Sequence, residues 1–176
     1  MLISKKMAGA INAQIGHEFG AMLQYNAIGA HFGSESLPEL SSHFFKQADE
    51  EREHALKLLH YVVDAGARVA IPAIPAPRAA FKTAEEAVKL SLDWEETVTK
   101  QINGLVDLAI KENDHITRHF LQWFVNEQLE EVASMDTLLS IVRRAGEQGL
   151  LFVEEYLARR GGVAVSSASG AGGAAG

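Results

Sequence analysis

A proline-rich segment near the middle of the chain most constrains its fold. Residues 67–82 read ARVAIPAIPAPRAAFK, and Pro72, Pro75 and Pro77 exclude a helix there. Each proline lacks a backbone N–H, and its ring clashes with the preceding helical turn. Extended at roughly 3.3 Å per residue, the segment reaches about 50 Å, the length of a helix of about thirty residues. It can therefore run from one end of a helical bundle to the other.

Helical patterns lie on both sides of this segment, and turn signals divide each side into two long helices. The first turn lies between Gly33 and Pro38, and the second lies at Asn113–Asp114, where Asp114 is a candidate N-cap. Two antiparallel helical hairpins joined by an end-to-end crossover predict an all-α four-helix bundle with one long connection, in which the second and third helices run parallel.

The ends of the remaining helices are also marked in the sequence. The second helix is predicted to stop near residues 64–66, and TAEE at 83–86 is a capping box that starts the third. The fourth helix is predicted to end at 145–146, and GLLFVEEYLARR at 149–160 predicts a short fifth helix. We therefore expect one folded domain over 1–160, followed by a flexible tail rich in small residues over 161–176.

Composition excludes several classes of function. The net charge of −7 argues against a protein that holds nucleic-acid phosphates, and zero cysteines exclude disulfides and thiolate metal sites. The chain contains no apolar run of about eighteen residues and no signal-peptide pattern, so we expect a cytoplasmic protein with no membrane partner.

The core-facing stripe of each long helix contains carboxylates where apolar residues are expected. At the three- and four-residue spacing of a buried helix face, Glu18 falls between Ile15 and Met22 on the first helix. The interruptions on the other three helices are Glu51 and His54, then Glu95, then Gln128 and Glu131. No Lys or Arg falls on any of the four stripes.

A bundle would bring these acidic positions to about the same level. An unpaired buried charge costs several kcal/mol, whereas a whole domain is stable by only ~5–15 kcal/mol. Two divalent metal ions would balance four carboxylates, with His54 and Gln128 neutral, and oxygen ligands with one imidazole favour iron or manganese over zinc or copper. The alternative at any single position is a misassigned helix phase, and a lone Glu-x-x-His pair also arises by chance.

The segments around these residues resemble the non-haem bacterial ferritins. They are IGHEFGAMLQY with Glu18, ADEEREHA with Glu51 and His54, WEETVTKQI with Glu95, and FLQWFVNEQLEEV with Gln128 and Glu131. The resemblance covers roughly residues 5–160 and is closest to actinobacterial ferritins. It is specific because four ligand segments occur in order around a long crossover.

This resemblance implies a ferroxidase that oxidises Fe(II) with O2 or H2O2 and stores the product as a ferric oxyhydroxide mineral in a hollow shell of twenty-four subunits. By analogy, Glu18, Glu51 and His54 hold the first iron. Glu51 then bridges to a second iron held by Glu95, and either Glu131 or Gln128 completes its ligands.

The resemblance also points to residues around the two irons. Glu50, Glu127, Glu130 and Glu131 match positions that hold a third iron in some bacterial ferritins, and the alternative is a solvated acidic face. Tyr25, two turns after Glu18, matches a tyrosine next to the family's site, and its alternative role is core packing.

Two departures from related families affect the interpretation. Bacterioferritins carry a haem-ligating Met after the bridging Glu and a second Glu-x-x-His on the fourth helix. Here Arg52 follows Glu51, and Glu130 stands three residues after Glu127. Arginine offers a metal no lone pair, so we expect no haem. Arg118 and Leu121 align with the acidic pair of the three-fold channel in animal ferritins, which leaves the route of iron open.

Other functions on the same bundle remain as alternatives. The runner-up is a different di-metal carboxylate enzyme, such as a peroxidase or a manganese catalase. Rubrerythrin is disfavoured because its second domain needs cysteines. A non-catalytic shell subunit is disfavoured by the complete ligand set, and a DNA-protecting mini-ferritin by the acidic charge and the fifth helix.

Overall fold

The described part of the protein contains four long helices and a shorter fifth helix. The computed structural model describes residues 1–160 in full and the backbone of residues 161–168. The helices are α1 (Lys5–Ser34), α2 (Pro38–Asp64), α3 (Ala84–Lys111), α4 (His115–Ala145) and, after a 3-10 turn at Glu147–Gly149, α5 (Leu150–Ala168). No strand occurs in this part of the chain, so the predicted all-α architecture is confirmed.

The long helices form the predicted bundle. α1 packs against α2 and α3, α3 packs against α4, and α5 lies against α2 and α4. The stacked rings of Tyr61 and Phe120, with centroids 3.9 Å apart, join α2 to α4. Over residues 1–168, no helix is both long and apolar enough to cross a membrane.

The helix starts follow the predicted caps with one difference. Asp114 accepts the backbone N–H of Thr117 at 2.9 Å, and the Thr83 hydroxyl oxygen accepts that of Glu86 at 3.1 Å. The second half of the predicted capping box is absent, because the Glu86 carboxylate accepts the backbone N–H of Lys82, at 2.8 Å, and not that of Thr83. Glu86 therefore fastens the end of the crossover to the start of α3.

α2 starts without a capping side chain of its own, since Leu37 precedes it. The Glu154 carboxylate of α5 takes this role, accepting the backbone N–H groups of Glu39 and Leu40 at 2.8 Å each. A negative charge at a helix N-terminus is also favourable for the helix dipole. α5 thus stabilises the beginning of α2 through a contact between residues far apart in sequence.

The crossover follows α1 from one end to the other. The buried Asn12 amide bonds to the backbone of Arg68 and Ala70, at 3.0 Å in both cases. The buried Gln24 amide bonds to both backbone groups of Arg78, at 2.8 and 2.9 Å. Because the irregular segment has no helical hydrogen bonds of its own, these two amides satisfy backbone groups that packing would otherwise leave unpaired. The crossover is thereby held along the bundle, and α2 and α3 run parallel as predicted.

A polar layer divides the apolar core into two clusters. One cluster includes Phe32, Leu40, Val88 and Met135, and the other includes Ile11, Leu58, Ile102 and Leu121. Along every long helix, the buried residues between the two clusters include the carboxylates that interrupt its stripe. Apolar packing therefore closes the polar layer at both ends of the bundle.

α5 is longer than the sequence indicates. It continues to Ala168, beyond the predicted end at Arg160. Gly161 and Gly162 lower helix propensity by about 1 kcal/mol each but do not block helical hydrogen bonds as proline does. Residues 169–176, the rest of the predicted tail, lie outside the described residues.

Replacing Gly16 with Ala tests the packing of the crossover against α1. A Cβ at Gly16 would lie 2.3 Å from Cγ of Pro72, and relieving such overpacking costs about 1–3 kcal/mol. We expect Gly16→Ala to lower the free energy of unfolding measured by denaturant titration. Gly9→Ala is the matched control, since its Cβ would meet nothing within 4 Å and should gain up to ~1 kcal/mol of helix propensity. Equal stability of the two variants would contradict this packing.

Candidate metal centre

The polar layer brings together side chains from all four long helices. Glu18 of α1, Glu51 and His54 of α2 and Glu95 of α3 are all at most 4% exposed. Gln128 and Glu131 of α4 and Tyr25 of α1 are buried as well. The bundle positions them because each lies on the face of its helix that otherwise carries core residues.

Glu18, Glu51 and His54 form a compact group, with one potential ligand atom of each within 4.8 Å of the others. His54 Nδ1 lies 3.3 Å from Glu51 Oε2. Gln14, one turn before Glu18, donates its amide N–H to Glu18 Oε1 at 2.9 Å. This bond orients the Glu18 carboxylate through its Oε1 atom.

A second set of hydrogen bonds holds Glu95 in the layer. The Tyr25 hydroxyl donates a hydrogen bond to Glu95 Oε1. The Thr99 hydroxyl lies 2.8 Å from the carbonyl oxygen of Glu95 and 2.8 Å from Gln128 Oε1. Glu95, Thr99 and Gln128 therefore form one connected network between α3 and α4.

Two aromatic rings of α4 pack against His54. The ring centroid of Trp123 lies 5.4 Å from that of His54, and the ring centroid of Phe124 lies 6.0 Å away, both near edge-to-face geometry. Lys57 Nζ lies 3.9 Å from the centroid of the Trp123 ring. These contacts restrict the imidazole to a narrow range of orientations.

Two carboxylate oxygens in the layer have no hydrogen-bond partner among the described residues. They are Glu18 Oε2 and Glu95 Oε2. Buried carboxylate oxygens nearly always have a partner, and no Lys or Arg is buried within residues 1–160. The donor set and these unpaired oxygens fit a bound metal cation.

Burial also shifts the protonation of these acids. Loss of solvation raises the pKa of Glu18 to about 7, although the hydrogen bond from Gln14 opposes the rise. Loss of solvation raises the pKa of Glu131 to about 8, and neighbouring carboxylates, Glu95 first, add to that shift. Burial and the Glu95 charge raise the pKa of Glu51 well above its ordinary value. Burial raises the pKa of Glu95 too, although hydrogen bonds from Tyr25 and Gln128 oppose the rise. Without a cation, the layer therefore holds protons near neutral pH.

The pKa of the His54 imidazole shifts in the opposite direction, below its ordinary value. Burial, together with the charge of Lys57, lowers the pKa of His54 to about 4. The ring is therefore neutral at pH 7 and has a nitrogen lone pair available for a metal.

A second group shares His54 with two acids of α4. Ligand atoms of His54, Glu127 and Glu131 lie within 4.8 Å of one another. Glu50 lies close enough to Glu127 for that charge, after burial, to raise its pKa. Glu130 is exposed and belongs to neither group within residues 1–160. Of the four acids matched to a third iron position, Glu127 and Glu131 come nearest to the histidine.

Several residues that support the layer are absent from the set of candidates that the sequence indicates. They are Gln14, Thr99, Trp123 and Phe124, which bond to or pack against candidate ligands. Gln14 and Thr99 have a recognisable signal, because each is a polar residue four positions from a candidate ligand, Glu18 or Glu95, and shares its helix face. Trp123 and Phe124 act across a helix interface whose register the sequence does not specify.

Known proteins show a close similarity to this chain. The Ferritin-like domain family matches residues 8–145. The chain is 44% identical over 157 residues to Ferritin BfrB of Mycolicibacterium smegmatis, covering 89% of this chain and 86% of that one. It is 35% identical over 161 residues to the bacterial non-heme ferritin of Staphylococcus aureus (strain MRSA252), covering 90% and 97%. The structure of an open pore ferritin from the hyperthermophilic archaeon Archaeoglobus fulgidus matches with a TM-score of 0.86 and 35% identity, covering 89% of this chain and 96% of that one.

The long crossover and the buried carboxylate–histidine layer define a ferritin-like metal-binding bundle. The chain belongs to the ferritin family. This membership supports iron binding and iron storage, and it does not favour a peroxidase or a manganese catalase.

Replacing Glu131 with Gln tests the electrostatic cost of the layer. An acid with a pKa of 4.5 when unfolded and about 8 when folded binds more protons in the folded state. The stability of the metal-free protein therefore falls as pH rises from 4.5 to about 8. The neutral amide lacks this penalty, and each pKa unit corresponds to about 1.4 kcal/mol. We expect chelator-treated Glu131→Gln to melt at a higher temperature than chelator-treated wild type at pH 8, with a smaller difference at pH 5.5.

Asp136→Asn is the matched control, because Asp136 is exposed on the same helix and is not among the carboxylates that raise the pKa of Glu131. Its melting temperature should follow that of wild type at both pH values. A Glu131→Gln variant with the pH dependence of wild type would contradict a protonated carboxylate layer.

Proposed function

We propose that this protein is an iron-storage ferroxidase that oxidises Fe(II) to Fe(III) at a di-iron centre in the polar layer. The observation that carries the proposal is the pair of buried, unpartnered carboxylate oxygens on Glu18 and Glu95. They lie in a layer to which residues 1–160 contribute no buried cationic side chain. Two Fe(II) ions would supply the missing positive charge.

The first iron is assigned to Glu18, Glu51 and His54. Their ligand atoms are already within 4.8 Å of one another, so binding requires little rearrangement. Two carboxylates and one neutral imidazole suit a divalent iron ion. Gln14 fixes the Glu18 carboxylate, and Trp123 and Phe124 fix the imidazole.

The second iron is assigned to Glu51 as the bridge, with Glu95 and Glu131. Gln128 is the alternative to Glu131 as the remaining ligand of the second iron. Gln128 Oε1 already lies 2.8 Å from the Thr99 hydroxyl, and Gln128 is neutral. Glu131 is charged when it loses its proton and belongs to the group around His54. These contacts favour Glu131 as the ligand and Gln128 as the residue that orients Glu95.

Iron binding at this layer is coupled to protons. Burial raises the pKa values of these carboxyl groups, so at neutral pH they hold protons. When an iron ion binds to a carboxylate, the carboxyl group must first release its proton. Two Fe(II) ions then give one electron each to O2, which takes up two protons to form H2O2, or to H2O2, which takes up two protons to form two water molecules. Carboxylates favour the product because the higher charge of Fe(III) gains more from anionic ligands.

A third iron position is proposed where His54, Glu127 and Glu131 approach one another. Glu50 interacts with Glu127 and extends this acidic face along α2. Glu130 adds negative charge beside Glu131. In this arrangement the face receives Fe(III) as it leaves the centre and holds it for mineral growth.

The same proposal includes a hollow shell of twenty-four subunits without haem. The relatives and structural neighbours are ferritins, which supports a homo-oligomer. Arg52 is exposed on α2 and directly follows Glu51. Two copies of its guanidinium meeting at a two-fold axis would repel each other and offer no lone pair to haem iron.

Replacing Glu51 with Ala tests the di-iron assignment, because Glu51 is the proposed bridge and its loss removes a ligand from both irons. We expect the initial rate of Fe(II) oxidation to fall by at least ~100-fold, a loss of about 2.7 kcal/mol of transition-state stabilisation. The measurement is stopped-flow absorbance after O2 is mixed with anaerobically loaded protein. Glu53→Ala is the control, since Glu53 is exposed on the same helix and its loss should leave the rate unchanged.

The mass of the assembly provides a separate test of the shell. Twenty-four copies of a 19.1 kDa chain give a particle of about 460 kDa. Light scattering on the wild type and on Glu51→Ala should give this mass for both. A normal oxidation rate in Glu51→Ala would refute the bridge, and a dimer of the wild type would refute the shell.

A further inference from the structure

A small pocket lies where α2, α4 and α5 meet, apart from the metal centre. Its volume is about 210 Å3, the space of roughly seven water molecules at ~30 Å3 each. A tetrahedral oxyanion, with five heavy atoms, fits this space. The polar residues that line it are Glu39, Ser42, His43, Lys46, Ser134 and Arg160.

The pocket concentrates positive charge in an acidic protein. The chain has a net charge of −7, yet this pocket has two cations, Lys46 and Arg160, and one carboxylate, Glu39. Within residues 1–160, neither cation has a carboxylate oxygen within 4.0 Å. Both cations are therefore available to an anion.

His43, Ser42 and Ser134 add hydrogen-bond donors to the two cations of the pocket. Burial, together with Lys46 and Arg160, lowers the pKa of His43 to about 4, so its neutral ring has one N–H to donate at pH 7. Ser42 and Ser134 add a hydroxyl each from α2 and α4. Arg160 donates only Nη1–H within the described residues, to the Tyr156 hydroxyl at 3.1 Å, and a guanidinium has four further N–H groups.

We propose that Lys46, Arg160 and His43, with the hydroxyls of Ser42 and Ser134, form a binding site for a tetrahedral oxyanion such as inorganic phosphate. Three helices contribute donors to the lining of one pocket, and charge-assisted hydrogen bonds from Lys and Arg supply most of the affinity. Glu39 opposes the anion and limits that affinity.

The site also has a consequence that rests on the proposed function. Lys46 is one helical turn from Glu50 on α2 and offsets part of the rise in its pKa, and Ser134 is one turn from Glu130 on α4. An oxyanion in the pocket would lie beside the acidic face proposed to hold Fe(III). Hard oxyanions bind Fe(III), so the pocket would supply the mineral with an anionic component.

Titration of inorganic phosphate into the metal-free, assembled protein tests the site. Calorimetry at pH 7 and low salt should detect binding to the wild type. Lys46→Met and Arg160→Met should each weaken it about tenfold or more, because each removes a charge-assisted donor. Glu39→Gln should strengthen binding, because it removes the repelling carboxylate. Lys100→Met, an exposed lysine on α3 outside the pocket, controls for the loss of one positive charge.

A specific oxyanion site predicts weaker binding for Lys46→Met and stronger binding for Glu39→Gln, with little change for Lys100→Met. A general effect of net charge would instead make Lys46→Met and Lys100→Met weaken binding equally. Equal weakening by Lys100→Met and Lys46→Met, or no effect of Glu39→Gln, would overturn the proposal, as would the absence of binding to the wild type. Circular dichroism and light scattering check that each variant is folded and assembled. Since no iron is present, a negative result leaves the ferroxidase proposal intact, and a failed oxidation test leaves the oxyanion site intact.

Discussion

The burial of four carboxylates in the middle of an apolar core is the constraint on which the rest of this structure depends. Glu18, Glu51, Glu95 and Glu131 come from four different helices and meet in one layer between two apolar clusters. Such a layer is costly unless it binds protons or cations. The chain stabilises the layer with packing on both sides and accepts protons onto the acids when no cation is bound.

The stability of the protein and its metal binding depend on the same equilibrium, the exchange of protons and cations on the buried carboxylates. Protons and metal cations compete for the same carboxylate oxygens, since burial raises the pKa values of Glu18 and Glu131 into the neutral range. His54 is already neutral there and does not compete with the cation. Hydrogen bonds from Gln14, Tyr25 and Thr99 orient the side chains of Glu18, Glu95 and Gln128 in this layer.

The connections between the helices serve the same layer. The crossover makes α2 and α3 parallel, and the amides of Asn12 and Gln24 hold it along α1. α5 packs across α2 and α4 and caps the start of α2 through Glu154. These contacts fix the axial positions of the helices, so that carboxylates far apart in sequence share a level. The oxyanion pocket proposed here arises from the same packing of α5 against α2 and α4.

The sequence by itself determined the all-α class, the four long helices, the parallel crossover and the acidic residues that interrupt each stripe. These features depend on local chemistry: prolines exclude helices, caps begin them, and a carboxylate on a buried face can be recognised from spacing alone. Only the tertiary structure decided which atoms meet. The pairing of His54 with Glu127, the contact of Trp123 with His54, the turn of Glu86 towards Lys82 and the meeting of Arg160 with Lys46 all depend on contacts between segments whose relative register the sequence does not specify. A shift of one residue along a helix moves a side chain by about 1.5 Å and turns it by about 100°, so such contacts are set by packing and not by pattern.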